Sequence, residues 1–254
     1  MGGIIVYLDG ITVSFDGFKA IDNLSTYVEY GELRFFIGPN GAGKTTLLDV
    51  ICGRVKPTKG RVFFREDIDI CRKQEHEIVR LGISRKFQTP AVFANLTVFE
   101  NLELSMRQNR SVFSSLSAKL TSAEEDMIRS NLEIIGLGQK ANIKAGSLAH
   151  GEKQWLEIGM LLVQEPELLL LDEPVAGMTK KETEKTGELL RSVAVNRSVL
   201  VVEHDMDFVR DFARKVTVMH EGKILCEGPV EKIQNDPKVI EIYLGRGRET
   251  NVKH

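Results

Sequence analysis

The residues best suited to chemistry in this chain are Gly38-Pro39-Asn40-Gly41-Ala42-Gly43-Lys44-Thr45-Thr46, which satisfy G-x-x-x-x-G-K-[ST] at every fixed position. Glycines let such a loop curl until its backbone N–H groups converge on phosphate oxygens, and a following helix adds its partial positive charge. Lys44 can then reach the β- and γ-phosphates of a nucleotide, and the Thr45 hydroxyl is a ligand for Mg2+. Leu33-Arg34-Phe35-Phe36-Ile37 before the loop reads as a buried strand, and Leu47 to Cys52 after it as a helix that Gly53 can end. A glycine turn with an exposed lysine would need neither flank, so the stretch reads as a nucleotide site.

Two carboxylates form the second constellation. Leu168-Leu169-Leu170-Leu171 is the uninterrupted apolar run of a parallel strand buried on both faces, and Asp172-Glu173 ends it. Acids at a buried strand end are costly unless they face a cation or polar site. Asp172 therefore reads as the metal carboxylate, acting through water, and Glu173 as the group polarising the attacking water. The alternative is a strand-to-helix cap before Pro174. Val199 to Val202 reads as a second buried strand ending in Glu203-His204-Asp205; alone, His204 would read as an ordinary satisfied histidine, but its strand-end position matches that of Asp172, at the edge where ligands of parallel α/β sheets lie. Phe15, 23 residues before Gly38, is a candidate stacking platform for a base, against the plainer reading of a core aromatic closing a strand.

These groups need a frame. Ile4 to Leu8 and Ile11 to Phe15 read as short strands split by Asp9-Gly10; Asp16-Gly17 is a further turn, followed by Phe18 to Leu24 and Thr26 to Glu29. This opening predicts an antiparallel sheet beside the phosphate loop. Thr58-Lys59-Gly60 reads as a turn before the strand Arg61 to Phe64. Arg72 to Leu81 has a helical pattern, and Gly82 to Gln88 runs as a strand into Thr89-Pro90. Residues 95–147 carry helical patterns without a strand: Leu96 to Leu102 starts one helix, Thr121-Ser122-Ala123-Glu124 is a capping box, and Ile128, Leu132 and Ile135 form an apolar face that Gly136 ends. Ser105 to Ser117 is a surface connection. The α/β core resumes near Gly151 with a helix from Lys153 to Gln164, and Lys223 to Gly228 and a helical Pro237 to Leu244 finish the fold.

Composition excludes other classes. The chain has 254 residues, a net charge of −2 and 42% hydrophobic residues, enough for a sizeable core and no ground for general nucleic-acid binding. No apolar run approaches the ~20 residues of a membrane helix, and Met1-Gly2-Gly3-Ile4 lacks the basic start of a signal peptide. Cys52, Cys71 and Cys226 have no CxxC spacing, the pattern of reduced cysteines in a cytosolic protein.

With these residues placed, the sequence resembles the ATP-binding subunit of an ABC transporter over essentially its whole length. The elements that carry the resemblance occur in that family's order: Phe15 as the adenine-stacking aromatic, the phosphate loop, Gln88 as the Q-loop glutamine, the signature region Leu148-Ala149-His150-Gly151-Glu152, Asp172-Glu173, and His204 as the switch histidine. The resemblance implies an α/β fold of the ABC-type P-loop ATPase class: a mixed core sheet, an N-terminal antiparallel β-subdomain and an inserted α-helical lobe. It implies one ATPase domain over residues 1–245, with the lobe at about 89–150, and a frayed tail at 246–254. Val13 to Phe18, Lys153 to Met160 and Pro174 to Thr179 resemble the urea-importer ATPases, and Asp236 to Gly245 points to the branched-chain amino-acid importer group that contains them.

The resemblance further implies that two such subunits sandwich two ATP molecules, each between one chain's phosphate loop and the other's signature helix. Glu173, with His204, would drive hydrolysis, and Gln88 would bridge the magnesium site and the lobe that docks on integral-membrane permease subunits. The expected partners are that permease, a second, paralogous ATPase and, indirectly, a solute-binding protein, on the cytoplasmic face of the inner membrane. The expected solute is urea, otherwise a branched-chain amino acid or short amide. Two departures stand out: the family's LSGGQ reads Leu148-Ala149-His150-Gly151-Glu152, and its D-loop aspartate is Thr179. The competing readings are a soluble ABC ATPase that remodels a macromolecule, a non-hydrolysing regulator, and a lipid or lipopolysaccharide exporter ATPase. The first would carry a long coiled coil or two cassettes, absent here, and Glu173 and His204 argue against the second.

Overall fold

The computed structural model describes residues 3–86, 92–106 and 120–244. Gln88, most of the serine-rich connection and the 246–254 tail of the sequence reading lie outside these residues.

Strand β1 (Ile4–Phe15) and strand β2 (Phe18–Glu29) form a long hairpin. Asp16 and Gly17 both take positive φ, 48° and 88°, the geometry of a primed two-residue turn whose twist matches its strands. The sequence reading split each strand in two. Instead Asp9-Gly10 is absorbed as a register shift between Leu8 and Ile11, which bends the strand without reversing it.

Then come β3 (Leu33–Ile37), α1 (Lys44–Ile51), β4 (Lys59–Phe64), β5 (Ile68–Asp69), α2 (Glu75–Leu81) and β6 (Ile83–Lys86). Lys59-Gly60, expected as a turn, is already strand, because Lys59 pairs with Thr12 of β1. Next are α3 (Val98–Ser105), α4 (Ser122–Ile134) and α5 (His150–Leu162), with two short 3₁₀ turns between α4 and α5. The chain continues through β7 (Leu168–Asp172), α6 (Lys180–Val193), β8 (Ser198–Glu203), α7 (Met206–Phe212), β9 (Lys215–His220), β10 (Lys223–Pro229), α8 (Val230–Ile233) and α9 (Pro237–Leu244).

Two sheets result. The antiparallel one runs β2-β1-β4-β5; the mixed one runs β10-β9-β3-β8-β7-β6. Within the second, β3 pairs in parallel with both β8 and β9, β7 pairs in parallel with β8, and β10 turns back antiparallel on β9. Every residue of β3, β7 and β8 is buried, which is why β7 and β8 read as apolar runs and β3 as one broken only by Arg34. β9 and α6 had no counterpart in the sequence reading. Lys-Val-Thr-Val-Met-His has polar residues at alternate positions, a weak signal for a strand that pairs directly with β3.

The chain divides into two compact units: Met1–Arg85, Glu167–Pro174 and Leu190–His254 in one, Lys86–Pro166 and Val175–Leu189 in the other. In the first, the fully buried Arg34 of β3 reaches Glu32, Thr217 of β9, Glu227 of β10 and the carbonyl of Tyr27 in β2. A guanidinium buried this way is tolerated because it is paired and hydrogen-bonded throughout. In the second unit, the capping boxes at Thr97/Glu100 and Thr121/Glu124 open α3 and α4. Helix α3 starts at Val98 behind its Thr97 cap, two residues later than its pattern suggested. Ile128, Leu132 and Ile135 are buried as the periodicity requires. Helix α5, which the sequence reading returned to the core, belongs to this second unit: Trp155 donates to the Thr186 hydroxyl at 2.9 Å, and Lys185 lies over its ring.

Candidate functional site

The phosphate loop joins β3 to α1 within the first unit. Gly43 caps α1 in the left-handed region at φ 96°, and a Cβ there would come within 2.4 Å of the Ala20 carbonyl. At Gly38 a Cβ would meet the Met219 carbonyl at 2.2 Å, so the backbone passes too close to β9 for any side chain. The loop is thereby held with its N–H groups at the start of α1. Lys44 is buried and donates to the carbonyls of Gly38 and Pro39 at 2.8 and 3.1 Å. Burial pulls its ammonium below the usual lysine range, against the carboxylates of Glu173, Asp172 and Glu203. Among the described residues no carboxylate is hydrogen-bonded to this ammonium, so it can exchange its loop carbonyls for phosphate oxygens.

Asp172 ends β7, nearly fully buried, and burial pushes its carboxyl above the usual range, against the Arg85 guanidinium and the Thr45 hydroxyl. One of its oxygens, Oδ1, is buried with no hydrogen-bond partner, while Arg85 Nη2 stands 3.5 Å from Oδ2. An unpartnered buried carboxylate oxygen beside a hydroxyl is a donor set that suits a hard cation, so the fit to Mg2+ is good. Among the described residues no three His, Cys, Asp or Glu side chains cluster as a metal cage.

Glu173 follows at φ 47°, a left-handed conformation costly for a residue with a Cβ, and its N–H donates to Val202 of β8 at 2.9 Å. His204 Nδ1 lies 3.2 Å from Glu173 Oε1. The His204 and Asp205 N–H groups both donate to the buried Glu203 carboxylate, and Asp205 caps α7. The His204 backbone is thus fixed while its ring stays exposed. Phe15 sits at the hairpin tip and is 48% exposed, so it is not a core residue; Ala20 and Ile21 of the same hairpin lie against Gly43.

In the second unit, Leu148 is buried and Ala149 caps α5. Three carboxylate or imidazole groups already occupy this helix start. Glu152 accepts from the Ala149 N–H and pairs with Lys140 at 2.5 Å. His150 Nε2 donates to the Ala176 carbonyl at 3.1 Å. Glu182, in a capping arrangement with Thr179, is held below the usual carboxylate range by the Thr179 hydroxyl and the N–H groups of Thr179 and Gly151. Sequence reasoning left the Gly151 N–H open for an anion; in the structure it faces Glu182.

The ABC transporter family model matches residues 21–176, and the branched-chain amino acid ATP-binding cassette transporter model matches residues 223–249. The chain belongs to the ABC transporter family. The high-affinity branched-chain amino acid transport ATP-binding protein LivG of Salmonella typhimurium is 37% identical over 95% of this chain and 98% of its own length. BraF of Pseudomonas aeruginosa, of the same description, is 33% identical over 95% and 98%. An ATP-binding cassette of an ABC transporter solved in its ADP conformation is 35% identical, with a TM-score of 0.82 over 96% of this chain and 99% of that one. The dimeric structure of another cassette, bound to ADP and Pi, is 25% identical with a TM-score of 0.73.

As an ABC cassette, the chain is the ATP-binding subunit of a transporter, an ATPase whose hydrolysis is coupled to transport. Its first unit brings together Lys44, Thr45, Asp172, Glu173 and His204 from the phosphate loop and the ends of β7 and β8. Arg85, beside Asp172, and its partner Asp49 were passed over in the sequence reading, although two adjacent cations in a short strand are a signal of buried charge. Glu182 was missed as well; only the packing of α6 on α5 reveals it.

Proposed function

We propose that the chain is the ATP-hydrolysing subunit of an importer for a small polar solute. ATP stacks on Phe15 and lays its phosphates in the loop of Gly38 to Thr46, where Lys44 trades its carbonyl partners for the β- and γ-phosphates. Thr45 and Asp172, with Gln88, would hold a magnesium ion that arrives with the nucleotide, and the ion would supply positive charge against the phosphate oxygens. Glu173 orients a water and accepts its proton as the water oxygen attacks the γ-phosphorus and the bond to ADP breaks. His204, whose Nδ1 stands 3.2 Å from Glu173 Oε1, holds that carboxylate in place. Leu148 to Glu152 serve the nucleotide of a partner cassette. The observation that carries this reading is Glu173, held in a left-handed conformation at the end of a buried strand with His204 Nδ1 at 3.2 Å.

No described helix is long and apolar enough to cross a membrane; the description of the relatives as transport ATP-binding proteins supports peripheral attachment through permease subunits on the cytoplasmic face. A second, paralogous ATPase completes the sandwich, and a solute-binding protein selects the cargo. Urea is the first solute to test, on the segments around Phe15, Lys153 and Pro174; the relatives' names make a branched-chain amino acid the second. Replacing Glu173 by Gln should preserve ATP binding and lower turnover by about 10²-fold or more. Hydrolysis at the parental rate would remove Glu173 from its role. Uptake of labelled urea against labelled leucine by the reconstituted complex decides the solute.

A further inference from the structure

Arg85 is the last residue of β6 inside the first unit, and its side chain is 5% exposed. Its Nη1 lies 2.5 Å from Asp49 Oδ1 and 3.4 Å from the Cys52 sulfur; its Nη2 lies 3.5 Å from Asp172 Oδ2. Asp49 stands four residues after Thr45 on α1, so the two side chains share one helix face. One guanidinium therefore spans from the helix face that carries Thr45 to the strand end that carries Asp172. It also divides the Asp172 carboxylate, engaging Oδ2 and leaving Oδ1 without a hydrogen-bond partner among the described residues, while the Thr45 hydroxyl also acts on the carboxylate.

We propose that Arg85 is a positioning residue for the metal site: anchored on Asp49, it fixes the rotation of the Asp172 carboxylate and the spacing between Asp172 and Thr45. The proposal rests on the reading that Thr45 and Asp172 hold the nucleotide's magnesium. Arginine suits the task because its planar fork can address two carboxylates at once with fixed geometry, whereas a lysine ammonium offers a single point of charge. Charge alone predicts the opposite sign. A cation near a metal site repels the metal, so a purely electrostatic Arg85 would weaken magnesium binding, and its removal would tighten it. A positioning Arg85 strengthens magnesium binding, and its removal loosens it.

Binding of a fluorescent ATP analogue to the full chain, titrated with magnesium and repeated in EDTA, separates these. Arg85→Lys keeps the charge and loses the fork. It should raise the half-saturating magnesium concentration by about 10-fold, the usual effect of losing a partner behind a metal ligand, while affinity in EDTA stays within about twofold. Arg85→Met should shift magnesium dependence the same way despite losing a repelling cation. Asp49→Asn, which leaves the guanidinium in place, should act in the same direction with smaller size, and it carries the test if an Arg85 variant fails to fold by circular dichroism. Unchanged half-saturation in Arg85→Lys and Asp49→Asn overturns the proposal, as does tighter magnesium binding in Arg85→Met or an equal loss of affinity with and without magnesium. A parental chain whose binding ignores magnesium would instead overturn the metal reading beneath it.

Discussion

At the scale of single residues, the phosphate site depends on groups whose native partners are provisional. Lys44 spends its donors on two loop carbonyls, and its burial makes an unpaired charge expensive. Lys44→Ala should therefore abolish ATP binding in calorimetry while leaving the empty chain folded, since no carboxylate depends on it for a hydrogen bond. Phe15 allows a cleaner separation of the binding and packing roles. At 48% exposure it contributes little to the core, so Phe15→Ala should weaken ATP by ~1–3 kcal/mol, the range for base stacking on an aromatic ring. The melting temperature of the nucleotide-free chain should hardly move; a large drop with unaltered affinity would return Phe15 to a structural role.

At the scale of elements, local signals and packing divide the work. The Thr121 capping box, the Gly136 stop and the apolar face of Ile128, Leu132 and Ile135 were legible because each is a matter of neighbours three or four residues apart. The Asp9-Gly10 pair looks like a turn by the same local rules and is not one, because β1 pairs with β2 on one side and β4 on the other across that point. Close helix packing was equally invisible. A Cβ at Gly159 of α5 would stand 2.7 Å from Ile135 Cδ1 and 3.2 Å from Leu102 Cδ2. Gly159→Val should destabilise the chain by about 1–3 kcal/mol, the cost of overpacking a filled contact, measured by urea denaturation. A stability equal to the parent would mean that α3, α4 and α5 can separate without loss.

At the scale of the whole molecule, assembly with a second cassette should be weak for this chain alone. The start of α5 lacks the signature serine, and its Ala149 and Gly151 N–H groups already face Glu152 and Glu182. On the proposed role of this helix start, the phosphate of a partner cassette's nucleotide would meet the same N–H groups, so closure would displace or share the hydrogen bonds those carboxylates hold. Ala149→Ser adds a donor aimed at an anion, and a hydrogen bond to a charged group contributes ~1.5–3 kcal/mol, roughly 10- to 150-fold in association. Sedimentation of the Glu173→Gln chain in ATP, with and without Ala149→Ser, should show that gain. Equal association constants would mean that the existing helix start suffices.

The sequence by itself placed the candidate groups of the first unit: the phosphate loop after β3, the acids ending the Leu168 run and the histidine after the Val199 run are contiguous motifs, and the last two follow strands whose burial shows as apolar stretches. It also determined the family, since the motifs occur in one order. The tertiary structure alone decided what surrounds them. Arg85 meets Asp49 36 positions away and Asp172 87 positions away, and Glu182 meets Gly151 through the packing of two helices. β9, which fixes the close backbone approach at Gly38, is read only from its pairing with β3. The reason is physical: propensity and periodicity act between neighbours along the chain, whereas a buried charge acquires its partner only when distant strands are brought side by side.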